Sequence, residues 1–142
     1  MTPQEVAKKS AEAMWARDRA SKWLGASLDE VGPGRAVMSM TIKEHHTNGH
    51  DICHGGFIFT LADSTFAFAC NSYNQNTVAQ QVTITFVEPG RLGDRLTAKA
   101  REVSKQGRSG IYDIEVRRED GALVAAFRGL SRTVKGTNFD EG

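Results

Sequence analysis

The sequence predicts an α+β fold in which one curved antiparallel sheet wraps around a single long central helix, with a further helix at the N-terminus. Three observations predict it. The stretch HGGFIFTLADSTFAFACNSYN, from His54 to Asn74, is apolar on nearly every side of a helix and so has to be enclosed. Around it, segments of alternating apolar and polar residues follow one another across mainly short turns, the pattern of antiparallel neighbours. Finally, no second helix is apolar all round, so the sheet must curl over the one that is. Some other surface then has to cover the side the sheet leaves.

The elements follow in order. Thr2-Pro3 with Glu5 is a capped helix start, and Val6, Ala7, Ala11, Met14, Trp15 and Trp23 recur at near-helical spacing. One helix over about residues 1–24 is therefore expected, stopping at Leu24-Gly25. Val31 to Gly34, VGPG, is a turn. In RAVMSMTIK, Ala36, Met38, Met40 and Ile42 fall on one side, which marks a half-buried strand. The polar loop EHHTNGHDICHGG leads into the central helix. Beyond it, VAQQVTITFV runs to Glu88-Pro89-Gly90. DRLTAKAREVS then sets Leu96, Ala98 and Ala100 against Arg95, Thr97, Lys99 and Arg101. Lys105-Gln106-Gly107 turns into SGIYDIEVRRE, with Tyr112, Ile114 and Val116 on one face, and Asp120-Gly121 is a hairpin signal. ALVAAFRGLSRTVK closes the sheet, and residues 136–142 are expected to fray. The 142 residues suit one domain.

Composition narrows the function. Eighteen basic and seventeen acidic residues leave a net charge of +1, which argues against a general nucleic-acid or membrane-surface binder. The two cysteines, Cys53 and Cys70, make no disulfide scaffold. The charged start lacks the apolar core of a signal peptide, and no run has the length of a membrane span, so a cytoplasmic protein is expected.

Two oddities mark the central helix. Asp63 is a carboxylate among phenylalanines, either a capping or ion-pairing group at the helix surface or a group that does chemistry. His54-Gly55-Gly56 falls where the helix begins, where backbone N–H groups lack partners and the helix dipole is positive. Glycine there either makes a tight turn or lets a ligand carbonyl approach those donors, as in an oxyanion hole. From Gly55 to Asp63 is about 12 Å along a helix, whereas a base or nucleophile must lie within about 3.5 Å of the atom it attacks. If both groups are functional, two copies of the chain satisfy both distances, with the helices meeting across a two-fold axis. The same pairing would cover the open side of the helix.

At this point the residues carry a resemblance. NGHDICHGGFIFTLADSTFAFACNS, followed by TITFVEPGRLGDRLTAKA and KQGRSGIYDIEV, resembles the PaaI-type acyl-CoA thioesterases of phenylacetate catabolism, members of the hotdog-fold superfamily. The likeness runs from about Gly25 to Val134. It implies a hotdog fold, an acyl-CoA substrate, most of all phenylacetyl-CoA or hydroxyphenylacetyl-CoA, and a dimer-interface site. A dimer-of-dimers tetramer is implied as well. By that resemblance Asp63 is the general base or nucleophile, Gly55 N–H the oxyanion donor, His54 its support, and Asn48 a group positioning thioester or water. A strand residue assisting catalysis is matched to neither Thr83 nor Gln80 securely, and Ala79 is also near. Arg91, Lys105 and Arg108, each in a turn beside glycine, fall in regions where the family contacts coenzyme A, though turn cations are as often only solubilising. Phe57, Phe59 or Phe66 would wall the acyl group, or simply be core. No cofactor is implied, coenzyme A being part of the substrate.

Other readings compete. His45, His46, His50, Cys53 and His54 are metal-type residues within one loop, but their spacing matches no closed zinc pattern, so no metal site is expected. No G-x-S-x-G elbow is present for a serine hydrolase. A hotdog hydratase or dehydratase, pairing Asp63 with His54 for proton transfer, is the rival enzyme. A non-catalytic acyl-CoA-binding module is the rival from another class.

Overall fold

The computed structural model describes residues 1–142. In chain order the elements are α1 (Pro3–Arg17), α2 (Arg19–Leu24), β1 (Ser27–Gly32), β2 (Arg35–Thr41), a 3-10 turn at Glu44–His46, α3 (Gly55–Cys70), β3 (Thr77–Phe86), β4 (Arg95–Gln106), β5 (Ser109–Arg118) and β6 (Leu123–Thr133). All strands join one antiparallel sheet in the order β1-β2-β4-β5-β6-β3. The sheet wraps α3, as expected of a hotdog fold.

The alternation read from the sequence is what builds the core. Met38 and Met40 of β2, Leu96 and Ala98 of β4, Ile114 and Val116 of β5 and Phe127 of β6 are buried against Ile58, Leu61, Ala62, Phe66 and Ala69 of α3. Phe66 is the wedge between helix and sheet. Its ring lies 5.7 Å from that of Tyr112 and 5.8 Å from that of Phe127, and it passes over Gly129.

Four features differ from the sequence expectation. The N-terminal helix is two helices, because Asp18 interrupts it. The Asp18 carboxylate takes the Ser21 N–H at 2.8 Å and the Ser21 hydroxyl at 2.6 Å, so a local cap outcompetes helix continuation. The second helix does end at Gly25, which turns the chain at φ +83°. Strand β1 adds an element the sequence pattern does not show: a bulge at Asp29 throws its side-chain alternation out of phase, and it is an exposed edge. Strand β3 does not neighbour β4 but crosses to pair with β6, since the connection through Pro89-Gly90 spans the end of the helix, where Cys53 N–H donates to the Gly90 carbonyl at 2.7 Å. The tail does not simply fray. Asn74 Oδ1 accepts the N–H groups of Asn138 and Phe139, both at 2.9 Å, and the Asn138 amide donates to Ser10 Oγ at 2.9 Å.

The helices α1 and α2 cover a second side of α3 through Trp15 against Phe68, ring centroids 6.2 Å apart, and through the hydroxyls of Ser21 and Ser64 at 3.1 Å. A narrow stripe of α3 stays uncovered: Gly56, Thr60, Asp63 and Ala67, all small or polar and all half-buried or exposed. Beside it β3 ends the sheet with an open edge, and Val78, Phe86 and Val87 are exposed there. Both thiols are buried, which pushes Cys53 up to about 11 and Cys70 up to about 12. No helix is long and apolar enough to cross a membrane.

Gly129→Ala tests the wedge. A Cβ at this position would fall 2.6 Å from the Phe66 ring, which is itself held between two other rings. Chemical denaturation should show a loss of about 1–3 kcal/mol, the usual cost of overpacking a full core. An unchanged midpoint would mean that Phe66 has room to move.

Candidate active site

The start of α3 is organised by His54. As the N-cap residue it accepts the Gly56 N–H on its Nδ1 at 2.9 Å, and its carbonyl accepts the Phe57 N–H at 3.0 Å. The N–H of Gly55 donates to no group of the chain. One of the orphan donors of the helix is thus left open, at the positive end of its dipole. A Cβ at Gly55 would sit 3.0 Å from the tip of the Phe86 ring, so glycine here lets that ring pack close over the helix start.

The preceding loop folds back as a small hairpin. Asn48 N–H donates to the Ile52 carbonyl at 2.9 Å, Thr47 bridges Cys53, and His54 N–H donates to the His46 carbonyl at 2.8 Å. Asn48 Oδ1 accepts the His50 N–H at 2.9 Å, while its amide NH2 has no partner within the chain. Asn48, Ile52, Gly55, Ile58, Phe86 and Pro89 line one cleft of about 320 Å³. The structure therefore brings Asn48 and Gly55 to the same concavity. An amide donor and a backbone donor beside an apolar wall suit a carbonyl oxygen that gains negative charge.

Asp63 is elsewhere in the same chain. It lies on the uncovered stripe two turns along α3, half-buried, and its carboxylate accepts no hydrogen bond from the protein. Burial pushes its pKa above the ordinary aspartate value. A carboxylate so placed is a better proton acceptor than an exposed one, and it has no structural partner to hold it ionised.

The cation candidates divide between the two ends of α3. Arg91 forms a bridge with Ile52 and lies at the N-terminal end, beside the cleft. Lys105 and Arg108 belong to the β4–β5 hairpin at the other end, where Lys105 Nζ stands 5.1 Å from the ring of Tyr73, just past the helix C-terminus. A helix of 16 residues, about 24 Å long, separates them. Thr83 pairs with Arg128 and Ile84 with Phe127, whose ring touches α3, so Thr83 lies on the outer face of the sheet, away from the helix. Gln80 is the extra residue of a bulge between Ala79 and Gln81. Among the phenylalanines, Phe66 is core, Phe59 packs on Phe127, and Phe57 packs on Trp23 with rings 5.9 Å apart.

The loop residues considered as metal ligands do not converge. His45 lies edge-on to Trp23 with centroids 5.6 Å apart, His50 is exposed, and His46 is fully buried with both ring nitrogens engaged. Sequence reasoning passed over Phe86 as the cover of Gly55. An apolar residue at a strand end carries no signal of that kind.

A curved antiparallel sheet wrapped around one central helix is the hotdog arrangement. In agreement, residues 50–125 match the thioesterase superfamily, and the chain belongs to it. Within that superfamily it is a PaaI-type acyl-CoA thioesterase. It is 45% identical over 130 residues to the acyl-coenzyme A thioesterase PaaI of Escherichia coli, covering 91% of this chain and 92% of that one. The solved structure of the Escherichia coli PaaI protein, from the phenylacetic acid degradation operon, superposes with a TM-score of 0.94 over 96% of this chain and 99% of that chain, at 41% identity. A putative esterase of Archaeoglobus fulgidus is 33% identical over 125 residues, 88% of this chain and 81% of its own length.

The burial of Asp63 has a consequence for stability. A carboxyl whose folded pKa is raised favours folding while protonated and loses that contribution as the pH rises through the folded value. Asp63→Asn should therefore melt at a higher temperature than wild type at pH 7. The difference should narrow as the pH falls toward about 4, the ordinary aspartate value. Thermal melts monitored by circular dichroism across that range decide it, and a variant less stable at pH 7 would contradict the assignment.

Proposed function

We propose that the protein hydrolyses phenylacetyl-CoA or hydroxyphenylacetyl-CoA to the free acid and coenzyme A, at a site shared by two protomers. The observation that carries this is the pairing of an open Gly55 N–H with a partnerless Asp63 eight positions along the same helix, beside a stripe that nothing in the chain covers. Gly56, Thr60 and Ala67 are small enough for a second copy of α3 to approach closely, and the open edge of β3 supplies strand pairing beside it. A two-fold, antiparallel pairing sets Gly55 of one protomer against Asp63 of the other. It also runs the far end of one helix past the loop of its neighbour. Lys105 and Arg108 then join Arg91 of the other protomer as cations for the phosphates of coenzyme A. Gln80, at the bulge of the edge strand, faces the same interface, whereas Thr83, on the outer face, is given no role. Two such dimers then pair into a tetramer, a reading the family likeness supports.

In this reading the thioester carbonyl oxygen takes the Gly55 N–H, with the Asn48 amide at its side and His54 holding the helix start. Asp63 accepts a proton from water as the water oxygen bonds to the carbonyl carbon. The oxyanion collapses, the C–S bond breaks, and the thiolate of coenzyme A leaves and takes up the proton. Direct attack by Asp63 would pass instead through a mixed anhydride, and labelled water in a single turnover together with hydroxylamine trapping separates the routes. Label appears in Asp63 only if the anhydride is hydrolysed at the enzyme carbonyl, and an intermediate trapped by hydroxylamine marks the covalent route in either case. In the hydratase alternative the Nε2 of His54 would transfer the proton, since its Nδ1 accepts the Gly56 N–H, and hydration of crotonyl-CoA without thiol release would favour it.

Thiol release from phenylacetyl-CoA, with octanoyl-CoA and crotonyl-CoA alongside, tests the activity. Wild type should turn over the aryl substrate best, and Asp63→Asn should lose about 10²-fold or more in kcat while still folded. The acid limb of kcat should lie above the ordinary aspartate range, because the base works only when deprotonated and burial raises its pKa. Mixed dimers test the sharing. Co-expressed Asp63→Asn and Gly55→Ala chains form one intact site per mixed dimer and should regain activity that neither variant has alone. No regain would overturn the shared site.

A further inference from the structure

We infer that His46 is a positioning residue of the thioester site, acting through the hairpin of residues 46–54 that delivers Asn48 and the Gly55 N–H. The inference rests on the reading of Gly55 as oxyanion donor. It goes beyond that reading by assigning work to a side chain that touches no substrate.

His46 is fully buried, yet every polar atom it has is used. Its Nδ1 accepts the backbone N–H of Lys43 at 2.9 Å, which closes the 3-10 turn at the foot of the hairpin. That bond sets the tautomer, so the proton is on Nε2 and is donated to the Leu24 carbonyl at 2.8 Å. The Leu24 carbonyl is an orphan acceptor at the C-terminus of α2, which the imidazole therefore caps. The backbone carbonyl of His46 accepts the His54 N–H at 2.8 Å, and His54 in turn takes the Gly56 N–H at 2.9 Å. Its ring packs against Phe57, centroids 5.4 Å apart, on the first turn of α3.

These contacts form one chain of command. The imidazole fixes the turn, the turn aims the His46 carbonyl, the carbonyl holds His54, and His54 removes the Gly56 donor while leaving that of Gly55 free. The far side of the hairpin is held separately, by Cys53 N–H on the Gly90 carbonyl at 2.7 Å. Loss of the imidazole should accordingly misaim the loop rather than release it. Burial pushes the His46 pKa below the ordinary histidine value, which keeps the neutral, two-sided form in place at neutral pH.

Two substitutions separate the two bonds of the ring. In His46→Asn the side-chain oxygen stands close to the place of Nδ1 and can still accept the Lys43 N–H. In His46→Gln the side-chain amide reaches the place of Nε2 and can still cap Leu24, but the turn loses its acceptor. The readouts are kcat and KM for phenylacetyl-CoA, thermal melting, and the amide resonance of Gly55 in ¹⁵N-labelled protein. His46→Asn should keep kcat within about threefold, and His46→Gln should lose about tenfold or more in kcat with KM little changed, the scale expected when a catalytic donor is misplaced. The Gly55 resonance should move in His46→Gln and stay near its wild-type place in His46→Asn, with the two proteins melting at similar temperatures. Equal kcat in both variants, or losses that only follow melting temperature, would overturn the inference. Should wild type not hydrolyse the thioester, the proposed function fails, and the Gly55 resonance alone decides the positioning role.

Discussion

A helix of 16 residues that is apolar on nearly every side cannot be satisfied by one sheet, and the architecture follows from how that surplus is covered. The concave sheet takes Ile58, Leu61, Ala62, Phe66 and Ala69, and the short helices α1 and α2 take Phe68 and Ser64. Each large apolar side chain buried in this way contributes about 1.5–3 kcal/mol before the entropy of ordering is set against it. What remains is a stripe of small and polar groups, where exposure costs little and where another helix can come close. Fold and site are therefore one problem: the face that the core does not use is the face that carries Asp63.

The carboxylate works against stability within the chain, because it is half-buried, raised in pKa and without a partner. Structural carboxylates in this protein look different. Asp113 is held by Arg128 at 2.6 and 2.8 Å, and that guanidinium lowers its pKa; Asp18 caps a helix. The contrast within one molecule supports the role proposed for Asp63, since a half-buried carboxylate without a partner costs stability and returns nothing to the fold.

The four histidines show how little a residue type says without its surroundings. Crowded into one loop, they are metal-type residues, though their spacing matches no closed zinc pattern. In space His54 caps a helix, His46 ties a turn to a second helix end, His45 leans on Trp23, and His50 faces solvent. Hydrogen bonding to backbone, rather than convergence on an ion, uses up the buried ones. Which backbone group each imidazole binds depends on the direction of its ring, and spacing along a loop does not encode that.

What could be read from the sequence alone was whatever depends on neighbours in the chain. The all-round apolar run of α3, the alternation in β2, β4 and β5, and the glycines at a helix start are local patterns, and the family likeness in NGHDICHGG rests on the same local residues. The tertiary structure decided what depends on counting through irregularities and on which ends meet. Bulges at Asp29 and Gln80 reverse side-chain parity, hiding β1 and turning Thr83 outward. The crossing of β3 to β6 creates the open edge, and the alternation of hairpins from end to end puts Arg91 and Lys105 a helix length apart. The reason is physical: side-chain direction in a strand has a period of two, so one inserted residue changes the face of everything after it, and nothing in composition records the insertion.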